Sequence, residues 1–171
     1  FVNKYPNYPD FSERYSGYFE AMHKLGLQPE PNISTTESAS SIQAIKVAQQ
    51  RPPDMSSILD QLCVDGTWPD ALIVANDWQA IGTYRYLEEK KLRVGVDIAV
   101  IGFENDVSIC ESLKPRLSSL QYPSRKLGAM AAKMLLRIIE EPQSDVSYSL
   151  ALCKTELFNR DSCSFIDSKE L

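Results

Sequence analysis

The 171-residue sequence predicts an α/β fold, a parallel sheet with helices on both faces and hence three layers. The run Ala71-Leu-Ile-Val-Ala75 is short and apolar throughout, the pattern of a strand covered on both sides. Ile98-Ala-Val-Ile-Gly-Phe103 repeats that pattern. Between them Ile81, Tyr84 and Leu87 fall on one helical face. The stretch therefore reads strand, helix, strand, a unit that crosses over right-handed into a parallel sheet.

The remaining elements follow in chain order. Phe1-Val2 reads as the tail of a strand, and the Pro-, Asn- and Tyr-rich stretch from Asn3 to Asp10 as a loop. Ser12 is placed to cap a helix on which Tyr15, Tyr18, Phe19, Met22 and Leu25 share helical spacing, with Gly26 as its stop. A Pro-containing connection leads to a short polar strand or loop at Ile33. Ile42, Ala44, Ile45 and Ala48 mark a second helix beginning near Ser40, which Arg51-Pro52-Pro53 ends. Asp54 is placed to cap a third, carrying Ile58, Leu59 and Leu62. Gly66-Thr-Trp-Pro-Asp70 is a turn cluster ahead of the first buried strand. The helix after that strand ends in Lys90-Lys91, where its dipole favours cations. Beyond Phe103 the chain is polar to Glu111, and Leu117 to Tyr122 reads as an edge or connecting strand. Pro123-Ser124 opens the clearest helix, with Leu127, Met130, Ala131, Met134, Leu135 and Ile138 in one apolar stripe before Pro142. Tyr148, Leu150 and Leu152 alternate with Ser149 and Ala151, and Leu157-Phe158 follows, the pattern of a strand pair or a bent strand. The remainder to Leu171 reads as a loose polar tail.

Composition excludes several classes of function. Apolar residues are 43% and charged residues 24%, ordinary for a globular protein. No apolar run approaches the roughly 20 residues of a membrane span, so no membrane partner is expected. Lys and Arg number 18 against 23 Asp and Glu, for a net charge of −5, and they form no basic block. That is the wrong sign for gripping a phosphate backbone directly. Cys63, Cys110, Cys153 and Cys163 form no Cys-x-x-Cys, so no zinc site is expected and they read as buried free thiols of a reducing compartment. There is no Gly-x-Ser-x-Gly, no P-loop and no Gly-x-Gly-x-x-Gly. The lone histidine, His23, reads as a solvated residue near a helix end. No cofactor is expected. Residue 1 is Phe rather than Met, so the chain reads as a fragment or a processed product.

Ligands of open α/β sheets lie outside the carboxyl ends of the parallel strands. Asn76-Asp77 ends one such strand and Glu104-Asn105 the other, and Arg14 joins them if Phe1-Val2 closes a third. One guanidinium, two carboxylates and two amides suit a hydroxyl-rich ligand, because carboxylates accept, Arg donates in a rigid fork and Asn does both. Trp78 is placed to stack on a sugar ring or a base. Each residue also has a plainer reading. Asp77 reads first as a helix cap, Arg14 as a surface partner of Asp10 or Glu13, and Trp78, like Trp68, as a packing residue. Acid–base catalysis by Glu104 with Asp77 stays open as an alternative, with no electrophile-activating group beside it.

Six segments then occur in a telling order: Arg14-Tyr-Ser-Gly-Tyr18, Pro69-Asp-Ala-Leu-Ile-Val-Ala-Asn-Asp77 with Ala80-Ile-Gly82, Leu92-Arg-Val-Gly-Val-Asp-Ile-Ala-Val-Ile-Gly-Phe103, Pro115-Arg-Leu-Ser-Ser119, Leu127-Gly128 with Ala131-Ala132, and Arg160-Asp-Ser162. From Arg14 to Ser162 the chain resembles the lactose/galactose-repressor (LacI/GalR) family of regulators. The resemblance implies a type I periplasmic-binding-protein-like fold, in which two α/β lobes close on a small effector. It implies that residues 1–120 form mainly the C-terminal effector-binding lobe, 121–145 a helical segment crossing to the other lobe, and 146–171 returning strands and a polar tail. A helix-turn-helix, a hinge helix and most of one lobe would precede Phe1. The stripe from Leu127 to Ile138 would then be exposed, packed on the lobe present, or covered by another subunit.

Residue by residue, Arg14, Asn76 and Glu104 match family positions that contact the effector, and Asp77, Trp78 and Asn105 complete the expected ligand-binding set. Glu104-Asn105 stands where the family has Asp-Asp, and Ser34-Thr-Thr-Glu37 lacks the ring-stacking aromatic often found there. Tyr84, Tyr86 and Val107 are the expected homodimer contacts. The implied function is non-enzymatic: effector sensing in a cytoplasmic, dimeric transcriptional regulator, with a sugar-like small molecule in the interlobe cleft. Operator DNA would be reached only through the N-terminal domain. A periplasmic sugar-binding protein of a transport system shares fold and ligand class and is the alternative.

Overall fold

The structure, a computed structural model, describes residues 1–4, 9–29, 33–34, 51–63, 65–140 and 153–163. The helix expected over 40–48, the alternating stretch 148–152, the loop from Thr35 to Glu37 and residues 164–171 lie outside them. In chain order the elements are β1 (Val2–Asn3), α1 (Pro9–Lys24), β2 (Ile33–Ser34), α2 (Ser56–Leu59), β3 (Ala71–Ile73), α3 (Asp77–Glu89), β4 (Ala99–Phe103), α4 (Val107–Ser112), β5 (Ser118–Gln121), α5 (Ser124–Glu140) and β6 (Glu156–Phe158). A 3-10 turn at Asp161–Cys163 closes the series.

β3, β4 and β5 pair in parallel, with Leu72 opposite Val100 and Gly102 opposite Ser119. β1 and β2 also pair in parallel. An isolated bridge between Val2 and Val74, with the Ala75 N–H donating to the Val2 carbonyl at 3.0 Å, joins the two sets. The strand order is therefore β2-β1-β3-β4-β5-β6. β6 runs antiparallel to β5, so the sheet expected to be parallel has one antiparallel edge, and β5 is interior rather than an edge.

Side chains alternate along a strand, and that alternation makes the three layers. Phe1, Ile73, Ala75 and Phe103 point to the α1 side, where Phe11, Tyr15 and Tyr18 meet them. Val2, Leu72, Val74 and Val100 point the other way, onto Ile58 and Leu59 of α2 and Ala80, Tyr84 and Leu87 of α3. α3 lies very close to the preceding segment: a Cβ on Gly82 would stand 2.0 Å from the Pro53 carbonyl oxygen. Asp54 accepts the Ser56 N–H at 2.9 Å, but the N-cap of the single-turn helix that follows is Met55, not the expected Asp54.

Three expectations need correction. α1 begins at Pro9, not Ser12, because proline is well suited to the first helical position. The polar stretch after Phe103 contains a helix, α4, whose N-terminus Asp106 caps by accepting the Ser108 N–H at 2.9 Å and the Ile109 N–H at 3.3 Å. The first part of the stretch expected to be loose, Asn159 to Cys163, is packed into the molecule. Ser162 is fully buried, donating to the Val100 carbonyl at 2.6 Å and accepting the Ser118 N–H at 2.8 Å. All four cysteines are free thiols, Cys110 and Cys163 buried and the other two half-buried.

α5 projects its apolar stripe into solvent. Leu135 is 58% exposed and Ile138 43%. Replacing Leu135 by Gln in this chain is accordingly expected to leave stability within about 0.5 kcal/mol of the parent, as read by urea unfolding. A loss above about 2 kcal/mol, the size of a core truncation, would mean that the stripe is covered.

Candidate functional site

The site forms where the strand order reverses. From β1 the chain moves outward to β2, then returns to the other side of β1 as β3. Such a reversal opens a crevice at the strands' carboxyl ends, which no crossover connection covers.

Arg14, one turn into α1, reaches over this crevice. Its guanidinium donates to the Ala75 carbonyl at the end of β3. Its other terminal nitrogen stands 3.6 Å from a Glu104 carboxylate oxygen at the end of β4. Phe11, Phe103 and Tyr122 present rings to it at 4.8, 5.2 and 5.3 Å. Cation–π contacts of this kind stabilise by about 0.5–2 kcal/mol each, more when desolvated. The Arg14 side chain is only 10% exposed, whereas Glu104 is 41% exposed. The collar of rings thus fixes the cation and leaves the carboxylate facing outward. The rings were not singled out in the sequence. Their signal was positional, since Phe103 and Tyr122 stand at or just beyond the carboxyl ends of β4 and β5.

Asn76 follows Ala75 directly and is half-buried. Its side-chain oxygen accepts the Gln79 N–H at 3.0 Å, so Asn76, not Asp77, caps α3. Trp78 is half-buried in the same first turn. Arg14, Asn76 and Glu104 therefore share one rim, as the sequence anticipated.

Asp77 and Asn105 are turned away from that rim. Asp77 is fully buried, accepting the Ser119 hydroxyl at 2.7 Å, the Asp106 N–H at 2.7 Å and the Cys110 thiol at 3.5 Å. Burial raises its pKa, against the pull of those three donors. The same burial, with Asp77 close by, pushes the Cys110 thiol up to about 12. Gly102 makes the inward turn of Asp77 possible, because a Cβ there would stand 2.2 Å from the Asp77 carboxylate. Asn105 is 9% exposed and its amide is bonded at both ends: Nδ2 donates to Gln121 Oε1 at 3.0 Å, and Oδ1 accepts from Arg160 at 2.7 Å. Both residues were expected to bind ligand; the structure gives their polar atoms to the protein itself. Acid–base chemistry by Glu104 with Asp77 fails for the same reason, since Asp77 has no path to a substrate.

Glu104 and Asn105 have φ of +103° and +51°. The first lies outside even the left-handed helical well, a strain of about 1–3 kcal/mol of the kind found at binding sites. Two of the expected subunit contacts also move inward. Tyr84 is 8% exposed and Tyr86 4%, both within the chain's own core. Tyr86 donates to Asp60 at 2.5 Å and packs on Trp68, which leaves neither ring for a partner. Val107, at 60% exposure, stays on the surface. Among the described residues no His, Cys, Asp and Glu cluster could hold a metal ion, and no helix is long and apolar enough to cross a membrane.

Comparison with known proteins gives this geometry its context. Residues 4–163 match the family described as periplasmic binding protein-like domain. The lactose operon repressor of Rhizobium radiobacter is 43% identical over 68 residues, 40% of this chain and 59% of that protein. The probable HTH-type transcriptional repressor ExuR of Bacillus subtilis is 38% identical over 94 residues, 55% of this chain and 27% of that protein. Among solved structures, a Lac repressor dimer bound to operator and the anti-inducer ONPF superposes with a TM-score of 0.70 at 25% identity, covering 94% of this chain and 51% of that one. A LacI family regulator from Enterococcus faecium with bound ribose superposes with a TM-score of 0.67 at 23% identity, covering 97% of this chain and 56% of that one. The chain thus spans about half the length of these solved relatives. With the family match running from Lys4 to the 3-10 turn, the chain belongs to the periplasmic-binding-protein-like domain family, and the curated relatives it resembles are repressors.

Proposed function

We propose that the chain senses a small hydroxyl-rich effector, a sugar or sugar derivative, for a dimeric cytoplasmic repressor. The observation that carries this reading is the Arg14 guanidinium held between the Ala75 carbonyl and the outward-facing Glu104 carboxylate, next to Asn76. A donor fork beside an acceptor carboxylate suits vicinal hydroxyls, each of which both donates and accepts. The role is binding without chemistry. Effector held against this rim and a second lobe would shift an open–closed equilibrium by the difference in its affinity for the two states. Operator DNA would be contacted by a separate N-terminal head, in keeping with this chain's net charge of −5. Val107 is the exposed candidate for a subunit contact.

Calorimetry of the intact protein against a panel of neutral sugars tests the site. Arg14→Ala and Asn76→Ala are each expected to weaken binding by about tenfold or more, the loss of a charged or well-placed hydrogen bond. Because Asn76 also caps α3, its variant should be titrated well below its own unfolding temperature. Undiminished affinity in both variants would remove the assignment.

A further inference from the structure

The strained turn after β4 is held from several directions. Leu120 accepts the Glu104 N–H at 2.8 Å, and Ser119 Oγ accepts the Asn105 N–H at 3.0 Å. Backbone in such a conformation persists only where its surroundings enforce it. One restraint comes from far along the chain: Arg160 Nη2 donates to Asn105 Oδ1 at 2.7 Å. Arg160 is itself fixed on every side. Its Nη1 donates to the Leu117 carbonyl at 2.8 Å and its Nε to Glu111 at 2.9 Å. Its backbone N–H donates to Ser118 Oγ at 2.8 Å, and its side chain is 10% exposed over the Phe158 ring.

We propose that Arg160 is a positioning residue for effector binding: it locks the Asn105 amide, and through Asn105 it holds Glu104 against Arg14. The segment 153–163 is then part of the ligand site although Arg160 reaches the rim only through Asn105. The inference rests on Glu104 being a ligand-binding residue. Its physical basis is the rigid guanidinium fork, which serves three acceptors at once in a fixed planar geometry. With Arg160 gone, the Asn105 side-chain amide keeps only its bond to Gln121, and its backbone N–H the bond to Ser119. The backbone at Glu104 can then relax, carrying the carboxylate away from Arg14.

Hydrogen–deuterium exchange on the chain tests the restraint directly, using Arg160→Ala, Asn105→Ala and the double variant. Arg160→Ala is expected to speed exchange of the Glu104 and Asn105 amides by about tenfold, while amides of β3 and β4 stay within about twofold of the parent. The double variant should exchange no faster at Glu104 than Asn105→Ala alone, because both single changes break the same link. Uniform acceleration across the sheet would mean that Arg160 supports only global stability, and unchanged exchange at the turn would mean that it restrains nothing; either result overturns the proposal. In the intact protein, Arg160→Ala should also weaken binding of any neutral sugar the parent binds by about tenfold. Unchanged affinity overturns the proposal too. If the parent binds no sugar, the ligand reading of Glu104 falls, while the exchange experiment still decides whether Arg160 holds the turn.

Discussion

Asp77→Ala is expected to destabilise the chain by about 3 kcal/mol, read as a lower urea midpoint at unchanged slope. The substitution leaves the Ser119 hydroxyl, which is fully buried, and the part-buried Asp106 N–H without their acceptor. Each buried group so abandoned costs about 1–3 kcal/mol. An opposing term is real: burial raises the pKa of this carboxyl, so its ionised form is held against a desolvation penalty that alanine would relieve. Asp77→Asn separates the two. It keeps the volume and one acceptor, and should cost less than alanine. The pH dependence has a definite sign. A native pKa above the unfolded one means that the folded chain binds the proton more tightly. The parent therefore gains stability relative to Asp77→Asn as pH falls from 7 through the raised native pKa toward the ordinary 3.8. An Asp77→Ala variant as stable as the parent would show that the carboxylate organises nothing.

Gly82→Ala is the second large effect, and here two terms compete openly. Alanine inside a helix is worth about 1 kcal/mol over glycine. Against that, the new methyl would stand 2.0 Å from the Pro53 carbonyl oxygen and 2.9 Å from a Met55 side-chain carbon. The methionine can move, but the carbonyl is backbone. Overpacking of this kind costs about 1–3 kcal/mol and sometimes more, so steric cost should win. The expected result is a net loss of about 2 kcal/mol in urea unfolding. A stabilised variant would mean that the 51–55 segment yields freely to α3.

The parts of the fold legible in the sequence are those where one residue property had one meaning. Ala71 to Ala75 and Ile98 to Phe103 are apolar without a break, and sheet interiors have little other use for such runs. The placing of Arg14, Asn76 and Glu104 at neighbouring strand ends followed from that topology. Asp77 and Asn105 were harder, because carboxylates and amides serve ligands and backbone equally well. What decided between these roles was direction. Gly102 lets the first turn of α3 approach β4 closely enough for Asp77 to point inward, and a glycine 25 residues later does not advertise that. Tyr84 and Tyr86 misled in another way. Helical spacing groups Tyr84 with Leu87, and it is the family resemblance that puts both tyrosines at a subunit contact; α3 is covered on more than one side, by the sheet and by Asp60 and Trp68. Ser118 and Ser119 made β5 look peripheral, yet their hydroxyls bond Asn159 and Asp77 inside the molecule.

The narrow join between β1 and β3 has a consequence of its own. Among the described residues the strands touch through the Val2–Val74 bridge and the adjoining bond to Ala75. Arg14 belongs to one side of that seam, and Asn76 and Glu104 to the other. Under the proposed function, a guest gripping all three would act as a rivet across the narrowest pairing in the sheet among the described residues. How tightly it is held and how rarely the seam parts then become one free energy measured from two ends.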